Sequence, residues 1–81
     1  MNSSDYSKKR RFLSSKLIEA REQAGFSQKQ VSDRKIVSQS ELSKLENGAR
    51  RVDFLLLLEL ARLYNQSITF FIPDCDRSNT K

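Results

Sequence analysis

Residues 27–48 read SQKQVSDRKIVSQSELSKLENG, and the two helix starts packed into this stretch decide the fold. Ser27 stands three residues before Gln30, the pattern in which a serine hydroxyl caps a helix and the glutamine side chain reaches back to the cap residue. Ser38 stands likewise before Glu41. Each pair opens a short helix. The first is predicted to run to about Arg34, and the second to stop at Asn47-Gly48, where glycine supplies the left-handed conformation of a helix end. If Leu42 and Leu45 point into a core, Gln39, Ser40, Ser43 and Lys44 fall on the opposite or flanking faces of the second helix.

Toward the N-terminus, Leu13, Leu17, Ala20 and Ala24 recur at spacings of four, three and four. This apolar stripe predicts a helix from about Ser7 to a cap at Gly25, with Phe26 packing back. Toward the C-terminus, Asp53 caps a fourth helix whose Phe54, Leu57, Leu58, Ala61 and Tyr64 are expected on the core face. Ser67 caps one more turn through Ile68 to Phe71, and Pro73 ends regular structure. The expected architecture is all-α: five short helices joined by tight turns in one domain at residues 8–72, between a flexible arm at 1–7 and a tail at 73–81.

Composition agrees with that plan. A chain of 81 residues suffices for one modest core and is too short for a separate ligand-sensing domain. Lys and Arg outnumber Asp and Glu by 15 to 10, and the net charge of +5 with a pI near 9.7 favours a polyanionic partner, nucleic acid ahead of an acidic membrane surface. The longest apolar run, residues 54–58, is far below a membrane span, and no basic-then-apolar leader precedes it. The lone Cys75 has no disulfide partner, which places the chain in a reducing cytoplasm. With no His, no glycine-rich phosphate loop and no paired-carboxylate pocket, an enzyme is not expected, and neither is a metal, a cofactor or a small-molecule ligand.

Two short, separately capped helices joined by a tight turn form the helix-turn-helix arrangement, in which the second helix enters the major groove of DNA. The residue types on that helix suit the task. Gln presents a donor and an acceptor to adenine, Lys donates to guanine or phosphate, and Ser bonds base edges or backbone. A polar helix face is more often plain solvated surface, but here its neighbours add to it. Basic residues flank the helix on both sides, at Lys8, Lys9, Arg10 and Arg11 and at Arg50 and Arg51, and Lys29 lies early in the first helix of the pair. Their reading as phosphate contacts competes with solvated surface, most evenly for residues 8–11.

Over about residues 13–71 the chain resembles the Cro and phage-repressor type of helix-turn-helix domain, often called the XRE family. The resemblance is carried by Ala20-Arg21-Glu22 with Gly25, Phe26-Ser27-Gln28, Val37-Ser38-Gln39-Ser40, the run from Leu42 to Gly48, and Leu57, Leu60 and Ala61. It implies a lambda-repressor-like fold and a sequence-specific transcriptional regulator binding double-stranded DNA. It further implies that Gln28 touches a phosphate and braces Gln39, which reads a base. Ser40, Ser43 and Lys44 face the groove alongside it, and the Asn47-Gly48 turn offers backbone N–H groups to a phosphate; Ser38, at the start of the reading helix, is expected among the residues that contact phosphate or position the DNA. Arg21 and Glu46 match a structural ion pair that fixes the reading helix against helix one. The turn at Lys35-Ile36 departs from the family, which has a large apolar residue and then Gly there. Either helix two ends differently, or Ile36 takes the core role while Lys35 turns outward.

Helix four carries more leucine than one core stripe uses. At about 100° per residue, Leu56, Leu60 and Leu63 form a second stripe, and Phe70, Phe71 and Ile72 add apolar surface. These residues are expected to form a homodimer interface that sets two reading helices about 34 Å apart on a palindromic operator, unless helix one or the tail covers them. The rival reading is an interaction module, an antitoxin or adaptor, that binds a protein partner through helix four.

Overall fold

A computed structural model describes residues 3–73, with side chains from Tyr6 onward. Cys75 and most of the tail lie outside the described residues. Four α-helices follow one another, α1 (Ser3–Gln23), α2 (Gln28–Asp33), α3 (Gln39–Glu46) and α4 (Phe54–Leu63), and a 3-10 helix (Ile68–Phe71) closes the domain. The fifth expected helix is thus a single 3-10 turn. Helix α1 begins at Ser3 rather than near Ser7, so most of the segment read as an arm is helical.

The ends of the helices are set by local chemistry. Ser27 and Gln30 form the full reciprocal capping box of α2. Ser38 Oγ accepts from Glu41 N at 3.1 Å, and Asp53 Oδ2 from Leu56 N at 3.3 Å. At the other ends, α1, α3 and α4 each close with a left-handed residue after the C-cap. These are Gly25 at φ 83°, Gly48 at φ 82° and Asn65 at φ 60°. In each case the next N–H returns to the carbonyl five residues back: Phe26 to Arg21, Ala49 to Lys44 and Gln66 to Ala61, at 2.9 to 3.1 Å.

Lys35 resolves the unusual turn. It adopts the left-handed conformation at φ 68° and points to solvent, while Ile36 is half-buried against the core. The β-branched residue is thereby spared the conformation it resists, and an unbranched one with its charge in water takes it.

Leu17, Ala20, Val31, Val37, Leu42, Leu45, Leu60, Ala61, Tyr64 and Phe71 form the core. Ala24, counted on the α1 stripe, is exposed because it is the C-cap where the chain turns away. Helix α4 presents Leu57, Leu60, Ala61 and Tyr64 inward, a stripe rotated from the expected one, and leaves Phe54 exposed at 64%. The expected dimer stripe is corrected accordingly. Leu60 and Phe71 are buried within the chain, and Leu56, Leu63 and Phe70 are half-buried against its core. Glu59 and Arg62 require the opposite face, and the apolar residues they carry into solvent are Leu55 at 70% and half-buried Leu58.

Candidate nucleic-acid interface

Leu42 and Leu45 anchor α3 from behind, and this leaves Gln39, Ser40 and Lys44 exposed and Ser43 half-exposed along its free side. All four expected reading residues therefore share one accessible helix surface. The helix is held rigidly by polar contacts as well as by leucines. Glu46, 5% exposed, accepts from Arg21 Nε at 2.7 Å and from Arg21 Nη2 at 3.1 Å. Arg21 Nη1 donates to the Phe26 carbonyl at 2.9 Å, so the guanidinium ties α1, the α1–α2 turn and α3 together. The hydrogen bond to Glu46 raises the Arg21 pKa and outweighs desolvation, so the guanidinium stays charged.

Gln28 departs from its expected role. Its amide nitrogen donates to Glu46 Oε1 at 2.9 Å, so its brace reaches the ion pair instead of Gln39. The Asn47-Gly48 turn also differs from the implied arrangement. The N–H groups of Asn47, Gly48, Ala49 and Arg50 return to Ser43, Leu45, Lys44 and Lys44, closing the helix end instead of awaiting a phosphate. The Asn47 side chain accepts from Ala49 N through Oδ1 at 2.9 Å, which turns its amide nitrogen away from that bond. Gly48 is constrained by its left-handed φ, while a Cβ there would meet Ser14 Oγ of α1 at an ordinary contact distance of 3.6 Å.

The basic residues divide into two groups. Arg10, read as a phosphate candidate, donates to the Gly48 carbonyl at 3.1 Å and so fastens α1 to the end of α3. Nothing in the sequence pattern distinguished it from its neighbours. Arg11 is exposed in a groove shared with Ser14, Ser15 and Asn47, on the flank of the reading helix. Arg50 lies 3.5 Å from Glu41, Lys29 lies 3.6 Å from Asp33, and Arg51 sits over the Tyr6 ring at 5.7 Å. Both carboxylate pairs are solvent-exposed and weak, so these cations stay available to a polyanion. Among the described residues, no three His, Cys, Asp or Glu side chains converge as a metal site would require.

A family model described as Helix-turn-helix matches residues 17–71, which takes in every element from the middle of α1 to the 3-10 turn. The chain belongs to this family, in its Cro/C1 type. Membership agrees with the α2–turn–α3 unit and the Arg21–Glu46 pair at its back. The HTH-type transcriptional regulator ImmR of Bacillus subtilis (strain 168) is 35% identical over 60 residues, covering 74% of this chain. The chain spans about half of that relative, 47% of its length. No solved structure matches.

Proposed function

We propose that the chain is a sequence-specific double-stranded DNA-binding transcriptional regulator, acting in the cytoplasm as a repressor or controller and not as an enzyme. The observation that carries this reading is the exposed Gln39, Ser40, Ser43 and Lys44 surface on a helix immobilised from behind by Glu46, Arg21 and Gln28. A reading helix must be held in one pose for its bidentate contacts to discriminate bases, and the buried ion pair supplies that rigidity. Lys29, Ser38, Asn47, Arg50 and Arg51, with Arg11 beside them, supply the phosphate contacts that set orientation and salt dependence.

The regulator works as a homodimer on a palindromic site. Support comes from the outer side of α4, where Phe54 and Leu55 are exposed beside a groove lined by Ile36, Leu58, Lys35, Glu59 and Arg62. Apolar surface bordered by both charge signs suits a second copy, because a two-fold axis can set Glu59 against Arg62 of the other chain. The same exposed leucine and phenylalanine favour one rival reading, a protein partner docked on α4. Selection of bound DNA from a random pool tests the proposal. Recovery of a palindrome with fixed half-site spacing supports it, and recovery of no shared sequence refutes it.

A further inference from the structure

Between the N-terminal half of α1, the loop at residues 49–52 and the 3-10 turn lies a cavity of about 290 Å³ to which base reading assigns no role. It reaches down to the core, where Leu17, Leu45 and Phe71 form its floor. Its rim carries Lys9, Arg10, Arg50 and Arg51, and among the described residues no Asp or Glu lines it. Two of these cations have uncharged partners: Arg10 bonds the Gly48 carbonyl, and Arg51 sits over the Tyr6 ring. Arg50 meets Glu41 only in an exposed pair. These three arginines therefore keep positive charge at the rim of an apolar floor.

We propose that this cavity is an effector site for a small amphipathic carboxylate of the medium-chain fatty acid class. The tail lies against the leucines and Phe71, and the carboxylate takes charge-assisted hydrogen bonds from the arginine rim. Ligand cavities run from about 300 Å³ upward, so this one sits at the small end. It suits a short hydrocarbon tail better than a long acyl chain, and its apolar floor disfavours a nucleotide. The site is also placed to regulate. Arg10 fastens the end of α3, and Arg50 and Arg51 belong to the phosphate-contact set, so a bound carboxylate competes with DNA for the same cations. That antagonism is reciprocal, with each ligand weakening the other by the same factor. The antagonism rests on the DNA-binding reading, whereas occupancy of the cavity does not.

Calorimetric titration of the full chain with octanoate, octanol and octyltrimethylammonium, each below its micelle concentration, tests the site without DNA. Octanoate is expected to bind saturably at one per chain, octanol at least about tenfold more weakly, and the cation not at all. Val52→Phe, in the loop bordering the cavity, fills it and is expected to weaken octanoate at least about tenfold while thermal unfolding stays cooperative. Leu13→Phe fills the same space from α1 and replaces that variant if it does not fold. Absence of saturable octanoate binding, equal affinity for octanol, or unchanged affinity in a folded cavity-filled variant overturns the site. Octanoate is then added to the protein bound to its selected DNA. A fall in DNA affinity that the cavity-filled variant lacks supports the antagonism, and unchanged affinity overturns it. Failure of the wild-type chain to bind any DNA refutes the DNA reading and leaves the calorimetric result for the cavity unaffected.

Discussion

Gln28 donates to Glu46 at 2.9 Å, so the first residue of α2 is fastened to the last residue of α3. With Arg21 on the same carboxylate, a single acid holds three helices in register. Glu46 is 4% and Arg21 13% exposed at the side chain, so neither charge has much recourse to water when the other is removed.

Arg21→Ala is therefore expected to cost about 3 to 5 kcal/mol of folding stability, mostly through the stranded Glu46 carboxylate. Arg21→Met combined with Glu46→Leu removes both charges and is expected to recover most of that loss. Urea unfolding of the two variants checks the pair. Equal destabilisation by the single and double changes would assign the loss to packing instead.

Lys35 sits at φ 68°, a conformation costing a non-glycine residue about 1 to 2 kcal/mol. Lys35→Gly is expected to stabilise the chain by up to about 1 kcal/mol, offset in part by the greater freedom of glycine in the unfolded chain. Lys35→Val is expected to destabilise it by about 1 kcal/mol or more. Melting temperatures of the two variants, measured side by side, decide the point.

These two sites mark what was legible in the sequence. Caps at Ser27, Ser38 and Asp53, the glycine ends of α1 and α3, and the Arg21–Glu46 pair depend on near neighbours or a family pattern, and all were readable. The orientation of α4 was not, because its leucines lie on every side and periodicity alone picks no face. Its charged residues hold that information: Glu59 and Arg62 must point outward, which turns Leu60 inward. Arg10 escaped for another reason, since its bond to the Gly48 carbonyl joins residues 38 apart and leaves no local trace. The role of Gln28 shifted because its partner, Glu46, is fixed by packing of α1 against α3.

Tyr64 is buried with its hydroxyl lacking a hydrogen-bond partner among the described residues, and burial pushes its pKa from 10.0 up to about 12. Because the folded pKa is the higher one, the folded chain keeps a proton that the unfolded chain gives up first. This contribution is intact below about pH 10 and is lost as pH rises toward about 12, about 3 kcal/mol in all. Tyr64→Phe is expected to be neutral or slightly stabilising at pH 7 and to unfold less steeply with alkali than the parent. Denaturant titrations across that pH window provide the comparison.

Leu55→Glu places a charge at a solvent-exposed position of α4 and is expected to leave folding intact while shifting sedimentation from dimer to monomer. Leu60→Glu buries a charge and is expected to unfold the chain. If Leu55→Glu sediments as the parent does, the outer face of α4 is not the contact between copies.

The central claim is that the exposed side of α3 reads DNA sequence. Its most direct test is binding of labelled operator fragments and single-base variants across a salt series by wild type, Gln39→Ala and Lys44→Ala. A lost base-reading contact is expected to cost about 1 to 3 kcal/mol and to relax preference at one position of each half-site, with the remaining phosphate contacts keeping binding strongly salt-dependent. Unchanged affinity and unchanged sequence preference in both variants would contradict base reading by α3.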